Sequence, residues 1–185
     1  MTREPHKVRL LQLIQERAVK KGVFELSSKK RSGYYIDAKL VTLHPEGAFL
    51  IAEIFLRMLP LDVLVLGGLE LGAAPIVGAV TTLSHCYNVP VSGFIIRKEA
   101  KGHGINSQYE GVPLSGNAQV AIVEDVITTG GSALKAIEVV EALGADVRCV
   151  MSVVDREEGA REALAEKGIE LLSIFTKDDL FIEGG

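Results

Sequence analysis

The sequence has no tryptophan, only two cysteines and four histidines, and aromatic residues make up 5% of its 185 positions. Cys86 and Cys149 lie in apolar segments and lack metal-ligand spacing with any histidine, which argues against a zinc site. We therefore expect two buried, reduced thiols. Since 48% of the residues are hydrophobic, a chain of this length can bury the core of one domain without disulfides or a structural metal.

Long uncharged stretches and an excess of positive charge are also absent. The 20 lysines and arginines face 24 aspartates and glutamates, for a formal net charge of -4. This balance argues against a nucleic-acid-binding surface spread over the molecule, so any anion site must be local. Residues 1–7 lead into a charged segment with no apolar signal region, and no later segment suits a membrane helix. The sequence predicts a cytoplasmic protein without a nucleic-acid or membrane partner.

The first 40 residues predict a small N-terminal unit. Apolar residues recur at helical spacing over about the first 20 residues, which predicts an amphipathic helix ending near Gly22. Residues 23–26 and 34–37 are predicted to be short strands of a hairpin, on either side of a polar turn. Pro45 suits the first position of a further helix over residues 46–59, whose mostly apolar composition indicates burial.

Beyond residue 60 the pattern changes to short apolar runs separated by helical segments, which is typical of parallel strands buried on both faces. The predicted strands are 63–66, 93–96, 120–123 and 149–154. The predicted helices are 75–87, 132–143 and 159–167. We expect residues 1–185 to form a single domain with a doubly wound α/β core over residues 60–175 and a mostly parallel sheet. Ligands bind such sheets at the carboxyl ends of the strands.

A polar segment follows the predicted strand 120–123. Its residues are Glu124, Asp125, Val126, Ile127, Thr128, Thr129, Gly130, Gly131 and Ser132. The glycines allow successive backbone N–H groups to face a ligand, the hydroxyls add donors, and the following helix adds partial positive charge. The two carboxylates can accept hydrogen bonds from the cis hydroxyls of a ribose and help to hold a metal ion. This segment predicts a sugar-phosphate site; the alternative is an ordinary turn in which Ser132 caps the helix and the carboxylates are solvated.

Residues 120–132 resemble the phosphoribosyl diphosphate signature of type I phosphoribosyltransferases. The sequence contains neither G-x-x-x-x-G-K-[ST] nor G-x-G-x-x-G, the common motifs of other phosphate sites. The resemblance implies that all nine residues from Glu124 to Ser132 bind phosphoribosyl diphosphate and that Asp125 is catalytic.

Residues 97–111 are too polar and too rich in glycine for a packed element, and we call them the lid. They carry Arg97, Lys98, Lys101 and His103. Long irregular loops in compact domains commonly cover binding sites. A basic lid can close over a diphosphate leaving group, neutralise its charge and exclude water, and His103 can donate a proton to it. The alternative is a solvated surface loop with scattered basic residues.

The string R-K-E-A-K-x-H-G, beginning at Arg97, resembles the mobile catalytic loop of orotate phosphoribosyltransferases. The resemblance implies transfer of ribose 5-phosphate from 5-phosphoribosyl 1-diphosphate to orotate, giving orotidine 5'-monophosphate and diphosphate in pyrimidine biosynthesis. It also implies a homodimer. Arg97, Lys101 and His103 would act in the site of the partner subunit, whereas Lys98 would act in its own subunit. All four residues would bind the donor. Lys101 and His103 would be catalytic, with Mg²⁺ on the diphosphate near Glu124 and Asp125.

The resemblance extends to the hairpin and to residues 153–159. It implies that the hairpin forms a small N-terminal hood over the base, with Tyr34 and Tyr35 near the orotate ring. Thr128 would hydrogen-bond orotate and Arg156 would pair with its carboxylate. From the residues alone, the alternative for Arg156 is an ion pair with a neighbouring acid. Those acids are Asp155, Glu157 and Glu158.

Residues 67–72 resemble the family's diphosphate-binding loop. The chain departs from the family pattern at four positions, of which one lies in this loop. Some members carry lysine where Leu71 stands, and many carry lysine at Ser27, proline at Gly33 and aspartate at Gly102. The first two departures leave fewer cationic contacts for the donor.

Two other functions remain open on the sequence. One is a phosphoribosyltransferase for another base, although a neutral base does not need a carboxylate clamp such as Arg156. The other is a non-catalytic regulator that binds phosphoribosyl diphosphate, although such proteins usually carry an added nucleic-acid-binding domain or a basic face.

Overall fold

The computed structural model describes residues 5–25, 31–99, 108–114 and 116–181. Within those ranges seven helices and eight strands form. The helices are α1 (Pro5–Arg17), α2 (Lys39–Thr42), α3 (Pro45–Met58), α4 (Ala73–Cys86), α5 (Gly131–Ala142), α6 (Ala160–Ala165) and α7 (Lys177–Phe181). The strands are β1 (Val19–Glu25), β2 (Arg31–Ile36), β3 (Val65–Leu69), β4 (Ser92–Ile96), β5 (Tyr109–Gly111), β6 (Gln119–Ile127), β7 (Asp146–Asp155) and β8 (Glu170–Thr176).

Six of these strands form the main sheet, in the order β5-β4-β3-β6-β7-β8. Strands β3, β4, β6, β7 and β8 run parallel, and β5 is antiparallel to β4. Side chains of β6 alternate between two buried clusters, with Val123 packed beside α3 and α4 residues and Ile122 beside α5 residues. Since successive side chains of a strand point to opposite faces, the sheet is covered on both sides. The predicted doubly wound, mostly parallel α/β fold is confirmed.

The N-terminal hairpin is also confirmed, as β1 paired antiparallel with β2. Its first strand begins earlier than predicted, because α1 ends at Arg17 and not near Gly22. The pairing of Val19 with Ile36 draws residues 19–22 into the hairpin, so tertiary pairing overrides the helical pattern at this point. The described part of the chain has no helix that is both long and apolar enough to cross a bilayer.

Four elements were not predicted: α2, β5, β8 and α7. Strand β5 falls inside the lid, so residues 109–111 are ordered against β4 and are not irregular as expected. Three residues are too few to show a strand pattern, and only pairing with β4 defines them. The backbone N–H of Arg97 donates to the Gln108 carbonyl at 2.8 Å, which closes the base of the lid.

The expected burial is confirmed for one of the two thiols and is wrong for the other. Both cysteines are free and Cys149 is buried in β7, but Cys86 is exposed. Cys86 is the last residue of α4, and all residues from 85 to 90 are exposed. The apolar residues that follow it, Tyr87 and Val89, are themselves exposed, so the apolar context in sequence does not form a core here.

Candidate active site

The phosphate cradle, residues 128–132, forms where β6 turns into α5. It opens on a cavity of about 300 Å³ lined by Glu124, Val126, Ile127, Thr128, Thr129, Gly130, Gly131, Ser132, Ala133 and Lys135. Gly130 precedes the helix with a φ of +82°, in the left-handed region that residues with a side chain rarely adopt. No side chain caps the helix at this end, so the alternative in which Ser132 acts as the cap is wrong. The first N–H groups of α5 have no acceptor within the helix and suit an anion.

Glu124 and Asp125 lie inside β6, which continues to Ile127, and not after its end as the sequence suggested. The reason is that β7 continues alongside, pairing Ile127 with Asp155. Both carboxylates are buried, with relative exposures of 6% and 8%. The alternative in which they are solvated is therefore wrong.

The two carboxylates differ in their surroundings. Asp125 accepts a hydrogen bond from the Val126 N–H at 2.8 Å and lies 3.4 Å from the Lys39 ammonium. The Oε1 atom of Glu124 is buried and finds no partner among the described residues. Burial, with repulsion from Asp125, raises the pKa of Glu124 to about 8, and Lys98 partly opposes this shift. An unpartnered buried carboxyl is costly to ionise and is suited to a cation or hydroxyl supplied by a ligand.

A second cavity of about 270 Å³ adjoins the cradle, with which it shares Glu124, Val126 and Ser132. Residues 69–72 of the predicted loop 67–72 form one wall, whereas residues 67–69 are the end of β3 because they pair with β4. Gly72 lies so close to Asp125 that a Cβ atom there would be 2.6 Å from the carboxylate Oδ1. The remaining lining residues of this cavity are Lys39, Leu69, Glu70, Leu71, Lys98 and Asp125. The structure thus places the predicted diphosphate-binding loop beside the predicted ribose-binding acids.

The basic residues of the lid divide between the described and undescribed parts of the chain. Lys98 lines the second cavity, and its backbone N–H donates to the Glu70 carboxylate at 3.1 Å. The Arg97 guanidinium lies 3.7 Å from the Glu110 carboxylate. Lys101 and His103 lie outside the described residues.

Arg156 follows β7 and lies beside the cradle, because its N–H donates to the Ile127 carbonyl at 2.9 Å. Its side chain is buried, and Nε donates to Glu158 Oε1 at 2.9 Å. Of the acids that the sequence left open as partners, Glu158 makes this contact, while Asp155 lies 3.3 Å from the Arg161 guanidinium.

The hood, formed by the β1–β2 hairpin, contacts Arg156 through the ring of Tyr34. The Arg156 guanidinium carbon lies 4.8 Å from the centre of the Tyr34 ring, and the Phe181 ring packs edge-on against Tyr34 at 4.8 Å. Tyr35 is more exposed, with a relative exposure of 38%. The structure therefore brings Tyr34 and Arg156 together, next to the end of β6 that leads into the cradle.

Sequence reasoning missed three residues of this region, which are Lys39, Glu70 and Phe181. Lys39 is 86 positions from its partner Asp125, and Phe181 is far from Tyr34 in sequence. Neither lies in a recognisable motif. Glu70 lies in the loop that the sequence singled out, but its side chain gave no signal of a role there.

A scan of the chain against protein-family models finds no match. The sequence relatives and the solved structures that do match the chain agree with one another. An orotate phosphoribosyltransferase of Rhodopirellula baltica is 42% identical over 181 residues, covering 94% of this chain and 93% of the relative. One of a Nostoc species is 47% identical over 172 residues, covering 93% of this chain and 84% of the relative.

Among solved structures, Mycobacterium tuberculosis orotate phosphoribosyltransferase in complex with 5-phospho-α-D-ribosyl 1-diphosphate superposes with a TM-score of 0.79. It is 33% identical, and the match covers 95% of this chain and 99% of that one. Since the sequence relatives and the backbone structure agree over nearly the whole length, this chain belongs to the orotate phosphoribosyltransferase family.

Proposed function

We propose that this chain is an enzyme that transfers ribose 5-phosphate from 5-phosphoribosyl 1-diphosphate, the donor, to orotate. The products are orotidine 5'-monophosphate and diphosphate, a step of de novo pyrimidine biosynthesis. The observation that carries the proposal is the adjacency of two cavities. One is a helix-terminal phosphate cradle and the other is bounded by loop 67–72, with the buried pair Glu124 and Asp125 between them. This order matches the order of 5-phosphate, ribose and diphosphate along the donor.

The cradle binds the 5-phosphate in this proposal. The N–H groups of the first turn of α5 and the hydroxyls of Thr128, Thr129 and Ser132 supply donors, and the helix dipole adds partial positive charge. Asp125 and Glu124 then accept hydrogen bonds from the ribose hydroxyls. The buried carboxylate of Asp125 also stabilises positive charge that develops on the sugar ring.

Orotate binds beside the cradle, on the side of Tyr34 and Arg156. A guanidinium is suited to a carboxylate because it presents several N–H donors in one plane. Glu158 engages Arg156 at Nε and so holds the guanidinium plane in place. Thr128 lies in the cradle, and in this proposal it hydrogen-bonds the pyrimidine.

The acid pair also fits a magnesium ion held mainly by the substrate. The described residues contain no group of three or more potential metal ligands. Mg²⁺ in phosphate-binding enzymes commonly uses one or two carboxylates together with substrate oxygens and water. The unpartnered Glu124 Oε1 and the neighbouring Asp125 meet that requirement. When bound, the ion would neutralise charge on the diphosphate.

The chemistry is a displacement at the anomeric carbon of the ribose. The bond from that carbon to the diphosphate oxygen breaks, and orotate N1 forms the new bond by donating its electron pair. The transition state has oxocarbenium character, so positioning by Arg156 and the cradle and the negative charge of Asp125 are expected to supply most of the rate enhancement.

We also propose that the lid takes part in catalysis and that the enzyme is a homodimer. The lid closes over the diphosphate, with Lys101 and His103 acting on the leaving group. The enzyme works in the cytoplasm as a homodimer in which Arg97, Lys101 and His103 reach the partner's site and Lys98 serves its own. The family likeness of the string that begins at Arg97 supports this arrangement.

A spectrophotometric assay tests the reaction and the base together. Purified protein is incubated with the donor and Mg²⁺, and with orotate, uracil, adenine or hypoxanthine in parallel. We expect turnover of orotate alone. Turnover of another base would retain the donor site and reject the role of Arg156. Binding of the donor without turnover of any base would favour a regulator.

The role of the lid is tested by Lys101→Ala. We expect turnover to fall by roughly 100-fold or more, as for loss of an electrostatic contact made in the transition state. Orotate should still bind, which titration calorimetry measures. Near-normal turnover would remove Lys101 from the mechanism.

A further inference from the structure

Lys39 occupies an unusual electrostatic position at the start of α2. Its Nζ lies 3.4 Å from Asp125 Oδ2 and 3.5 Å from Asp37 Oδ1. The side chain is 44% exposed while that of Asp125 is 11% exposed, so the ammonium group lies at the surface of the second cavity. A lysine ammonium beside two carboxylates is a cation at neutral pH.

The wall of this cavity is otherwise poor in positive charge. Loop 67–72 contributes the Glu70 carboxylate and the apolar side chain of Leu71, which is 69% exposed. Of the described side chains lining the cavity, Lys39 and Lys98 are the basic ones. They face three acids, Glu70, Glu124 and Asp125. A diphosphate group would bring further negative charge into this space, so it requires cations that the loop does not supply.

We propose that Lys39 is a donor-positioning residue that binds the diphosphate group from within the same subunit, at the place where loop 67–72 presents Leu71. This inference rests on the proposed function and names a residue that sets donor affinity. A lysine has a long flexible stem and three rotatable donors. When ribose hydroxyls donate to Asp125, the Lys39 ammonium exchanges that carboxylate for a diphosphate oxygen in the same cavity. It then stabilises the negative charge that accumulates on the departing diphosphate.

The test uses inorganic diphosphate and ribose 5-phosphate as separate probes, so it does not depend on turnover. Lys39→Met keeps most of the length of the side chain and removes its charge. We expect titration calorimetry to show about 10- to 100-fold weaker binding of diphosphate, as for loss of a charge-assisted hydrogen bond. Ribose 5-phosphate should bind almost as before, because the cradle that holds its phosphate is unchanged.

The matched control is Lys167→Met. Lys167 is a similarly exposed lysine whose ammonium lies 3.8 Å from the Glu141 carboxylate, away from both cavities. Its loss should leave the binding of both probes unchanged. Equal weakening of diphosphate binding in both variants would indicate a general effect of net charge and overturn the proposal.

Two rescue variants separate positioning from a structural role. Lys39→Arg should retain most of the diphosphate affinity. Leu71→Lys in the Lys39→Met background should restore it, because a cation returns to the same cavity from the loop. In steady-state kinetics Lys39→Met should raise KM for the donor while KM for orotate stays the same.

The outcomes that overturn the proposal are distinct from failure of the proposed function. Lys39 would be only a structural partner of Asp125 if Lys39→Met bound diphosphate as tightly as the wild type. The same conclusion would follow if the variant bound diphosphate and ribose 5-phosphate equally weakly and neither rescue variant restored binding. A wild-type protein that turns over no base but binds diphosphate through Lys39 would reject the proposed reaction and keep this inference.

Discussion

The Glu124 carboxyl combines burial in β6 with an Oε1 atom that no described residue hydrogen-bonds. In the folded protein its pKa is about 8, against an ordinary value of 4.5. The folded state therefore holds a proton on this group between those values, and the unfolded state does not. A group with a raised folded pKa contributes stability that is complete below pH 4.5 and is lost as the pH rises through 8.

Glu124→Gln tests this linkage because glutamine has the same shape and does not ionise. We expect the unfolding free energy of the wild type, measured relative to this variant, to decrease between about pH 5 and pH 8. Urea denaturation at a series of pH values measures the difference. Glu141→Gln, which removes a half-exposed carboxylate, should show no such trend. Parallel curves for the wild type and Glu124→Gln would contradict a raised pKa.

Gly130 gives a second prediction at the level of single residues. Its φ of +82° is strained for any residue with a Cβ atom, so Gly130→Ala should lower the unfolding free energy by about 1–2 kcal/mol. The neighbouring Gly131 is the matched control, because it has no positive φ and a Cβ there would meet only the Thr129 Oγ1, at 3.9 Å. Gly131→Ala should leave stability nearly unchanged in the same denaturation experiment. Equal losses in the two variants would show that backbone conformation is not the cause.

At the scale of secondary-structure elements, the hood is held by contacts from the far end of the chain. Helix α7 presents Phe181 to Tyr34 of β2, and Tyr34 in turn lies against Arg156 after β7. The Gln15 amide of α1 donates to the Leu180 carbonyl at 2.9 Å, which fixes α7 against the N-terminal unit. Three separate segments therefore meet on the proposed base-binding side of the cradle.

Phe181→Ala tests whether this contact matters for the base. An edge-on aromatic pair contributes about 0.5–1.5 kcal/mol beyond its area. Without Phe181, this energy no longer holds Tyr34 in place and must be supplied when orotate binds. KM for orotate should therefore rise roughly two- to tenfold. KM for the donor should not change, because the cradle and loop 67–72 are untouched. Phe49→Ala is the control, since Phe49 is similarly exposed and packs edge-on against His6. Equal increases in both KM values would indicate a general loss of folding.

At the scale of the whole molecule, the proposed homodimer predicts that two inactive variants complement each other. Lys101→Ala removes the lid cation, and Asp125→Asn removes the carboxylate charge at the ribose site. In a mixture allowed to exchange subunits, each heterodimer contains one site with an intact Asp125 and an intact partner lid. At equal concentrations about a quarter of wild-type turnover per chain should return.

The same experiment has a clear negative outcome. If the lid acts on its own subunit, the mixture should show no more activity than the sum of its parts. Exchange is verified by separating tagged and untagged subunits, so lack of mixing is not mistaken for lack of complementation.

The sequence by itself determined the features that are contiguous along the chain. Residues 120–132 carry strand, acids, glycines and helix start in one run, so the cradle and its chemistry could be inferred from local rules. The alternation of apolar runs and helical segments likewise determined the doubly wound fold, because a sheet buried on both faces requires it. The lid string and loop 67–72 were recognisable for the same reason.

Only the tertiary structure decided which distant segments meet at the site. The pairing of β3 with β6 brings loop 67–72 to Asp125, and the start of α2 brings Lys39 to the same carboxylate. Burial of Glu124 follows from the continuation of β6 beside β7, which no property of residues 124 and 125 reveals. Contacts such as these depend on sheet order and packing across many residues, whereas a sequence pattern reports the preferences of neighbours along the chain.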